Sequence, residues 1–236
     1  METKEQTQTQ QKNEVVANVW GQKDKFVNYY FVRNDTDDTW FIIDTGLAGS
    51  AEKIRSMANK LFGAKPPAAI ILTHGHFDHT GSVQSLAEGW HVPVYAHYLE
   101  FPYLSGKSSY PPPDPKVGGG LMSALSGFYR KEPIDISHLL TALPDDGTIP
   151  GLTGWRYIHT PGHSPGHISL FRESDRLLIA GDAFVTTKAE SLMATITQKQ
   201  EISGPPMYFT CDWDAAADSV RRLADLDPLV VASGHG

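Results

Sequence analysis

Four short stretches of this 236-residue chain carry side chains able to hold metal ions. The densest is THGHFDHTG, Thr73 to Gly81, which contains His74, His76, Asp78 and His79. WRYIHTPGHSPGH supplies His163 after a Pro-Gly turn, RLLIAGDAF supplies Asp182, and PLVVASGHG supplies His235. The donors singled out in them are five histidines and two aspartates. Nitrogen and oxygen donors of this type and number suit two borderline divalent ions. His74 and His76 are two apart, so they project the same way from an extended turn. A tight turn after Phe77 lets that pair serve one ion and Asp78 with His79 serve another. Gly75 and Gly81 are expected to let the backbone bend there.

Such donors must be gathered by regular elements. Each of the four stretches follows a short apolar run of the kind that makes a buried strand: AAIIL (68–72), WRYIHT (155–160), RLLIAGD (176–182) and PLVVAS (228–233). A sheet collects the loops at its strand ends along one edge. Further strands are expected over 14–20, 26–33, 39–44 and 92–96, with turns at Gly21 and from Asn34 to Asp38. Residues 50–63 place Ile54, Met57, Ala58 and Leu61 on one helical face, with Ser50 as cap and Gly63 as stop. Helices are also expected over SVQSLAEGW (82–90) and DAAADSVRRLADL (214–226). The middle, from about Phe101 to Pro150, contains SGKSSYPPPDPKVGGG and reads as irregular before Leu121.

Composition narrows the class. Hydrophobic residues make up 40% of the chain, enough for a sizeable core. Residues 1–13 are polar and Gln/Thr-biased, which reads as a disordered tail, and residues 14–236 read as a single domain. No apolar run approaches the ~18 residues of a membrane span. The N-terminus has no secretory pattern, so a cytoplasmic location is expected. The single cysteine, Cys211, excludes an internal disulfide and thiolate metal clusters, and is expected in a small core or edge position. The net charge is −7 without a basic block, so nucleic acid is not an expected partner.

The His74-x-His76-x-Asp78-His79 run, followed in order by His163, Asp182 and His235, resembles the metallo-β-lactamase-fold hydrolases. The likeness runs from about residue 14 to the end. It implies an α/β fold, a four-layer αββα sandwich with two facing mixed β-sheets. It implies that His74, His76 and His163 bind one metal, that Asp78, His79 and His235 bind the second, and that Asp182 bridges them. A bridging hydroxide is then the nucleophile, and Asp78 is the catalytic residue that orients it and carries a proton to the leaving group. Two divalent ions are implied, zinc first, with iron or manganese as alternatives. Asp44 in FIIDTG resembles the family's early Asp-x-Gly turn and is read as supporting the metal loops through backbone hydrogen bonds. The family usually continues beyond the last ligand. This sequence stops at Gly236, and a naturally short chain and a truncated one both fit.

The expected reaction is hydrolysis of an ester, thioester, lactone or amide bond in a small molecule. Lactonases of the fold commonly carry tyrosine three residues after the bridging aspartate; here Val185 stands there. Basic glutathione-binding residues have no clear counterpart. The alternative is an iron-dependent oxidoreductase on the same fold, such as a sulfur dioxygenase. The irregular segment 101–130 is expected to act as a lid, with Tyr103, Phe128 and Tyr129 as substrate-pocket residues and Tyr110 among its aromatics. Lys188 is read as a solvated lysine. His91, His97, His138 and His159 are read as ordinary polar or structural residues. His167 is read the same way, with a place beneath the metal loop as the alternative.

Overall fold

Alternation along the strands sorts the apolar residues into layers. The structure, a computed structural model, describes residues 13–111, 134–187 and 201–236. One sheet has seven strands in sequence order: β1 (Glu14–Val16), β2 (Val19–Asp24), β3 (Val27–Arg33), β4 (Trp40–Ile43), β5 (Ala69–Ile71), β6 (Val94–Ala96) and β7 (Leu140–Ala142). The first four pair antiparallel, and β4 through β7 pair parallel. The other sheet has the order β11-β10-β9-β8, built from β8 (Trp155–His159), β9 (Ile168–Arg172), β10 (Leu177–Gly181) and β11 (Val230–Ser233). Only its β10–β11 pair is parallel. Both sheets are therefore mixed.

In β3 and β4, Tyr29, Phe31, Trp40 and Ile42 face one way and pack against α1 (Ala51–Phe62) and α3 (Val83–Trp90) through Ile54, Leu61, Val83 and Leu86. Their neighbours Tyr30, Val32, Phe41 and Ile43 face the other way. There they meet Tyr157, Ile168, Leu170, Leu177 and Ile179 of the second sheet. The far face of that sheet, with Ile158, Phe171 and Leu178, is covered by Leu223 of α5 (Trp213–Ala224). The period-two pattern thus produces the αββα layering.

Several local expectations need correction. The strand expected over 14–20 is two strands, because Asn18 takes a left-handed conformation (φ 66°) and turns the chain. Asparagine tolerates this better than most residues. Gly21 lies inside β2 rather than in a turn, and Lys25 (φ 58°) makes the next turn. The middle opens more regularly than expected: directly after a 3-10 turn at Tyr98–Glu100 it forms the short helix α4 (Phe101–Leu104), and beyond Leu121 it supplies β7, which extends the parallel run of the first sheet. Three isolated residues are too short for a periodic signal, so β7 is specified by the edge of β6. Cys211 is exposed rather than packed. Among the described residues, no helix is long and apolar enough to cross a membrane.

Candidate metal centre

The loops that leave β5, β8, β10 and β11 converge on one side of the sandwich. Two cross-links between the layers hold them there. The Ile168 N–H donates to the Thr73 carbonyl at 2.9 Å, and the Asn28 N–H donates to the Gly234 carbonyl at 2.7 Å. After His76, the chain enters the four-residue helix α2 (Phe77–Thr80), which carries Asp78 and His79. Gly75 and Gly81 are needed for space rather than for bending, since neither has a positive φ. A β-carbon at Gly81 would collide with the backbone of Leu47 and Ala48, and one at Gly75 would lie 2.6 Å from the Tyr110 hydroxyl.

All seven sequence-predicted donors are buried and come together. Donor atoms of His74, His76 and His163 lie within 4.8 Å of one another, and so do those of Asp78, His79 and His235. His74, His79 and Asp182 form a third such group between them. Nε2 of His74, His76 and His79 and Oδ1 of Asp182 have no hydrogen-bond partner although buried. Buried polar atoms left unpaired in this way are costly unless a bound group satisfies them.

Hydrogen bonds assign the histidine tautomers. His235 Nδ1 lies 2.8 Å from the Phe26 carbonyl, which can only accept, so Nδ1 carries the proton. His79 Nδ1 donates to the Asp44 carboxylate at 2.7 Å. The Thr73 hydroxyl donates to Asp44, so it accepts from His74 Nδ1 at 3.0 Å. The Thr210 hydroxyl donates to the Pro206 carbonyl and likewise faces His163 Nδ1, at 3.5 Å. In each case Nδ1 is held from outside the cluster and Nε2 is the nitrogen turned toward it, the orientation of a metal-binding imidazole. His76 is arranged differently: its Nδ1 faces Nε2 of His163 at 2.9 Å.

Electrostatics divide the cluster into two ends. Burial holds His74 and His163 well below the usual histidine range and pushes His76 down to about 3. That end is neutral. At the other end burial also opposes charge on His79 and His235. The carboxylates of Asp182 and Asp78 outweigh it and raise both. Burial pushes Asp182 upward, but His235 and His79 hold it well below the ordinary carboxylate range. This end attracts positive charge.

The sequence reading named some of the residues around the donors and missed others, Glu100 and Phe209 among them. Asp44 does more than brace the backbone, because it accepts from the Thr73 N–H and also from the His79 ring. His167 accepts the Asp182 N–H at Nε2 and meets the Thr160 hydroxyl at Nδ1, so both its nitrogens are engaged beneath the loop. Glu100 is fully buried and hydrogen-bonded to the loops of His74 and His163. Nothing in AHYLEF marked that carboxylate as interior. Tyr110 packs on His76 with ring centroids 4.4 Å apart, and Phe209 lies 4.9 Å away. Tyr103 stacks on Tyr110 at 3.9 Å, which puts it one layer behind the histidine. Phe128, Tyr129 and Lys188 lie outside the described residues. Elsewhere, His97 stacks on His159 at 4.2 Å, His138 pairs with Glu88 at the surface, and His91 ends α3 in a left-handed conformation.

Comparisons with known proteins agree with this architecture. Residues 23–235 match the family model described as the metallo-beta-lactamase superfamily. The chain is 45% identical over 225 residues to the probable metallo-hydrolase YflN of Bacillus subtilis, covering 94% of this chain and 85% of that protein. It is 29% identical over 210 residues to the probable metallo-hydrolase YybB of the same organism, covering 89% and 80%. Among solved structures, the BLEG-1 B3 metallo-beta-lactamase superposes with a TM-score of 0.62 at 28% identity, covering 92% of this chain and 91% of that one. TTHA1623 in a di-iron-bound form also superposes with a TM-score of 0.62, at 26% identity over 92% and 90% of the two chains. The fold, the gathered donors and the match over nearly the whole length lead to one assignment: the chain belongs to the metallo-β-lactamase superfamily.

Proposed function

We propose that this metallo-hydrolase holds two divalent ions, zinc in the first instance, and cleaves an ester, thioester, lactone or amide bond in a small molecule. The observation that carries the reading is the set of seven buried donors with unpaired atoms on His74, His76, His79 and Asp182. His74, His76 and His163 would hold one ion; Asp78, His79 and His235 would hold the other. Asp182 lies between the two ends, with Oδ2 3.5 Å from His163 and 3.1 Å from His235. Its negative charge would offset that of the two ions. Bound ions of this kind polarise a scissile carbonyl and acidify water toward neutrality.

The chain's own residues supply the rest. Asp78 is buried, with Oδ2 3.5 Å from His235 Nε2. A carboxylate there can orient a water by accepting its hydrogen bond, and can then pass a proton to the leaving group. Asp44, Thr73, Phe26 and Thr210 fix the imidazole orientations. Tyr110, Phe209 and Phe77 form an aromatic wall beside His76, suited to the organic part of a substrate. Small-molecule turnover is tested with protein purified without chelator, assayed by elemental analysis and on a panel of esters, thioesters and lactones. Fewer than one ion per chain after zinc reconstitution would sink the dinuclear reading.

Iron is the second reading, favoured by the di-iron-bound form of TTHA1623 and by an all-nitrogen-and-oxygen donor set that iron also accepts. Oxygen uptake with thiol or persulfide substrates, together with iron as the dominant metal, would select it over hydrolysis.

A further inference from the structure

Glu100 is a fully buried carboxylate that stands outside the seven donors. It closes the 3-10 turn after β6, and its four hydrogen-bond partners are all uncharged. Oε2 accepts the Gly75 N–H at 2.9 Å and the Tyr110 hydroxyl. Oε1 accepts the Ser164 hydroxyl at 2.8 Å and the Gly166 N–H at 2.7 Å. Gly75 sits between His74 and His76, and Ser164 directly follows His163. One carboxylate therefore spans the two turns that carry the three-histidine end of the cluster.

The surroundings are shaped to admit it. A β-carbon at Gly166 would lie 2.8 Å from Glu100 Cγ, and one at Gly75 would lie 3.3 Å from its Oε2. Tyr110 completes the arrangement: its hydroxyl bonds Glu100 and accepts the Gly75 N–H at 3.0 Å, while its ring packs on His76. Burying a carboxylate is costly, and an apolar residue would fill the space at less cost. A group that accepts from both turns at once does something an apolar residue cannot. Between the two turns it bonds, His76 Nδ1 and His163 Nε2 lie 2.9 Å apart.

We propose that Glu100 is a positioning residue that clasps the His74–His76 turn to the His163 turn, so tuning the affinity of the three-histidine end for its ion, with Tyr110 closing the clasp. This rests on the dinuclear reading above. The Glu100→Gln change tests it sharply. An amide has one accepting oxygen, and its NH2 can only donate. Tyr110 and Ser164 can rotate their hydroxyls to accept, but the Gly75 and Gly166 N–H groups cannot. Whichever way the amide lies, one backbone N–H faces a donor and one histidine turn is released.

The experiment is a titration of chelator-treated protein with Zn2+ and with Co2+ against a chromophoric chelator. His163→Ala and His235→Ala variants assign each binding step to its end. For Glu100→Gln the step at the three-histidine end should weaken by about 10- to 100-fold, with its cobalt absorption bands shifted, while the other step stays within about twofold. Should Glu100→Gln fail to fold, Tyr110→Phe/Ser164→Ala keeps the carboxylate and both backbone bonds, and should weaken the same step by about two- to tenfold. The proposal is overturned if the folded variants keep that step within twofold of the parent, or lose both steps equally. The parent's own stoichiometry judges the dinuclear reading separately, since it does not depend on either variant.

Discussion

The His79 ring donates from Nδ1 to the Asp44 carboxylate at 2.7 Å, and neither side chain reaches solvent to any extent. Asp44 takes this position in a left-handed backbone conformation, φ 61°, at the end of β4. The same carboxylate accepts the Thr73 N–H and the Thr73 hydroxyl, each at 2.8 Å. Through Thr73 it also fixes His74. One aspartate thus orients a histidine at each end of the cluster.

Asp44→Asn should therefore weaken metal binding by about 10- to 100-fold, the usual effect of losing such an outer partner. Asparagine tolerates the left-handed backbone, so the change isolates the carboxylate. Its NH2 must face either the Thr73 N–H or the His79 and Thr73 donors. Competition titration with a chelator measures the loss, and unchanged affinity would remove Asp44 from the orienting role.

Asp182→Asn and Asp78→Asn should fail differently. Asp182 lies between the two ends, and an amide there cannot neutralise two cations; the variant is expected to lose one ion and most turnover. Asp78→Asn is expected to lower the rate per bound metal pair after reconstitution, because its proton-carrying role goes beyond holding metal. Metal content and kcat measured together separate the two outcomes. Two ions and full turnover in Asp182→Asn would refute its central place.

Chelator-treated protein should lose stability as pH falls from about 6.5 toward 4. Burial depresses five histidines: His74, His76, His97, His163 and His167. Of these, His97 and His167 are held down to about 4. Across that window the unfolded chain binds more protons than the folded one, so stability rises with pH. His79 and His235 are raised, so their contribution is fully present below the unfolded histidine value and leaves the slope unchanged there. Asp78 and Glu100, raised by burial, tilt the slope the other way but are outnumbered. Tm measured from pH 7 to 4.5 should fall. His97 lies away from the metal cluster, stacked on His159, so His97→Gln should flatten the slope without touching metal content. A flat parent profile would refute the argument.

Specificity should reside in the aromatic wall. Phe209→Ala removes a ring 4.9 Å from His76, whereas Tyr103→Ala removes one stacked behind Tyr110. The first should change the ratio of kcat/KM for two substrates of different acyl size more than the second, with both ions retained. Phe128→Ala and Tyr129→Ala extend the test to the remainder of the expected lid. If none of the four alters the ratio, the wall is a packing element.

Much of this protein is written locally. Alternation in VNYYFVR and WFII sorts residues to two faces, and the face-to-face packing of the sheets follows from burying both. The seven donors are legible because each lies in a short stretch that follows an apolar run, where a strand must end. Spacing within one loop can suggest that His74 and His76 point together, but it cannot bring His163 to within 2.9 Å of His76. That distance depends on how β5 and β8 lie in two different sheets, and on what holds their loops. The residues that hold them are hard to read for the same reason. Glu100 was invisible and His167 legible only as an alternative, because both have ordinary local surroundings and partners 66 and 15 residues away along the chain, respectively. Their roles come from burial, which makes each unpaired donor or acceptor expensive and so forces a partner from whichever segment the fold brings near. The types of the donors belong to the sequence; their distances, tautomers and charges exist only once the two sheets have closed on each other.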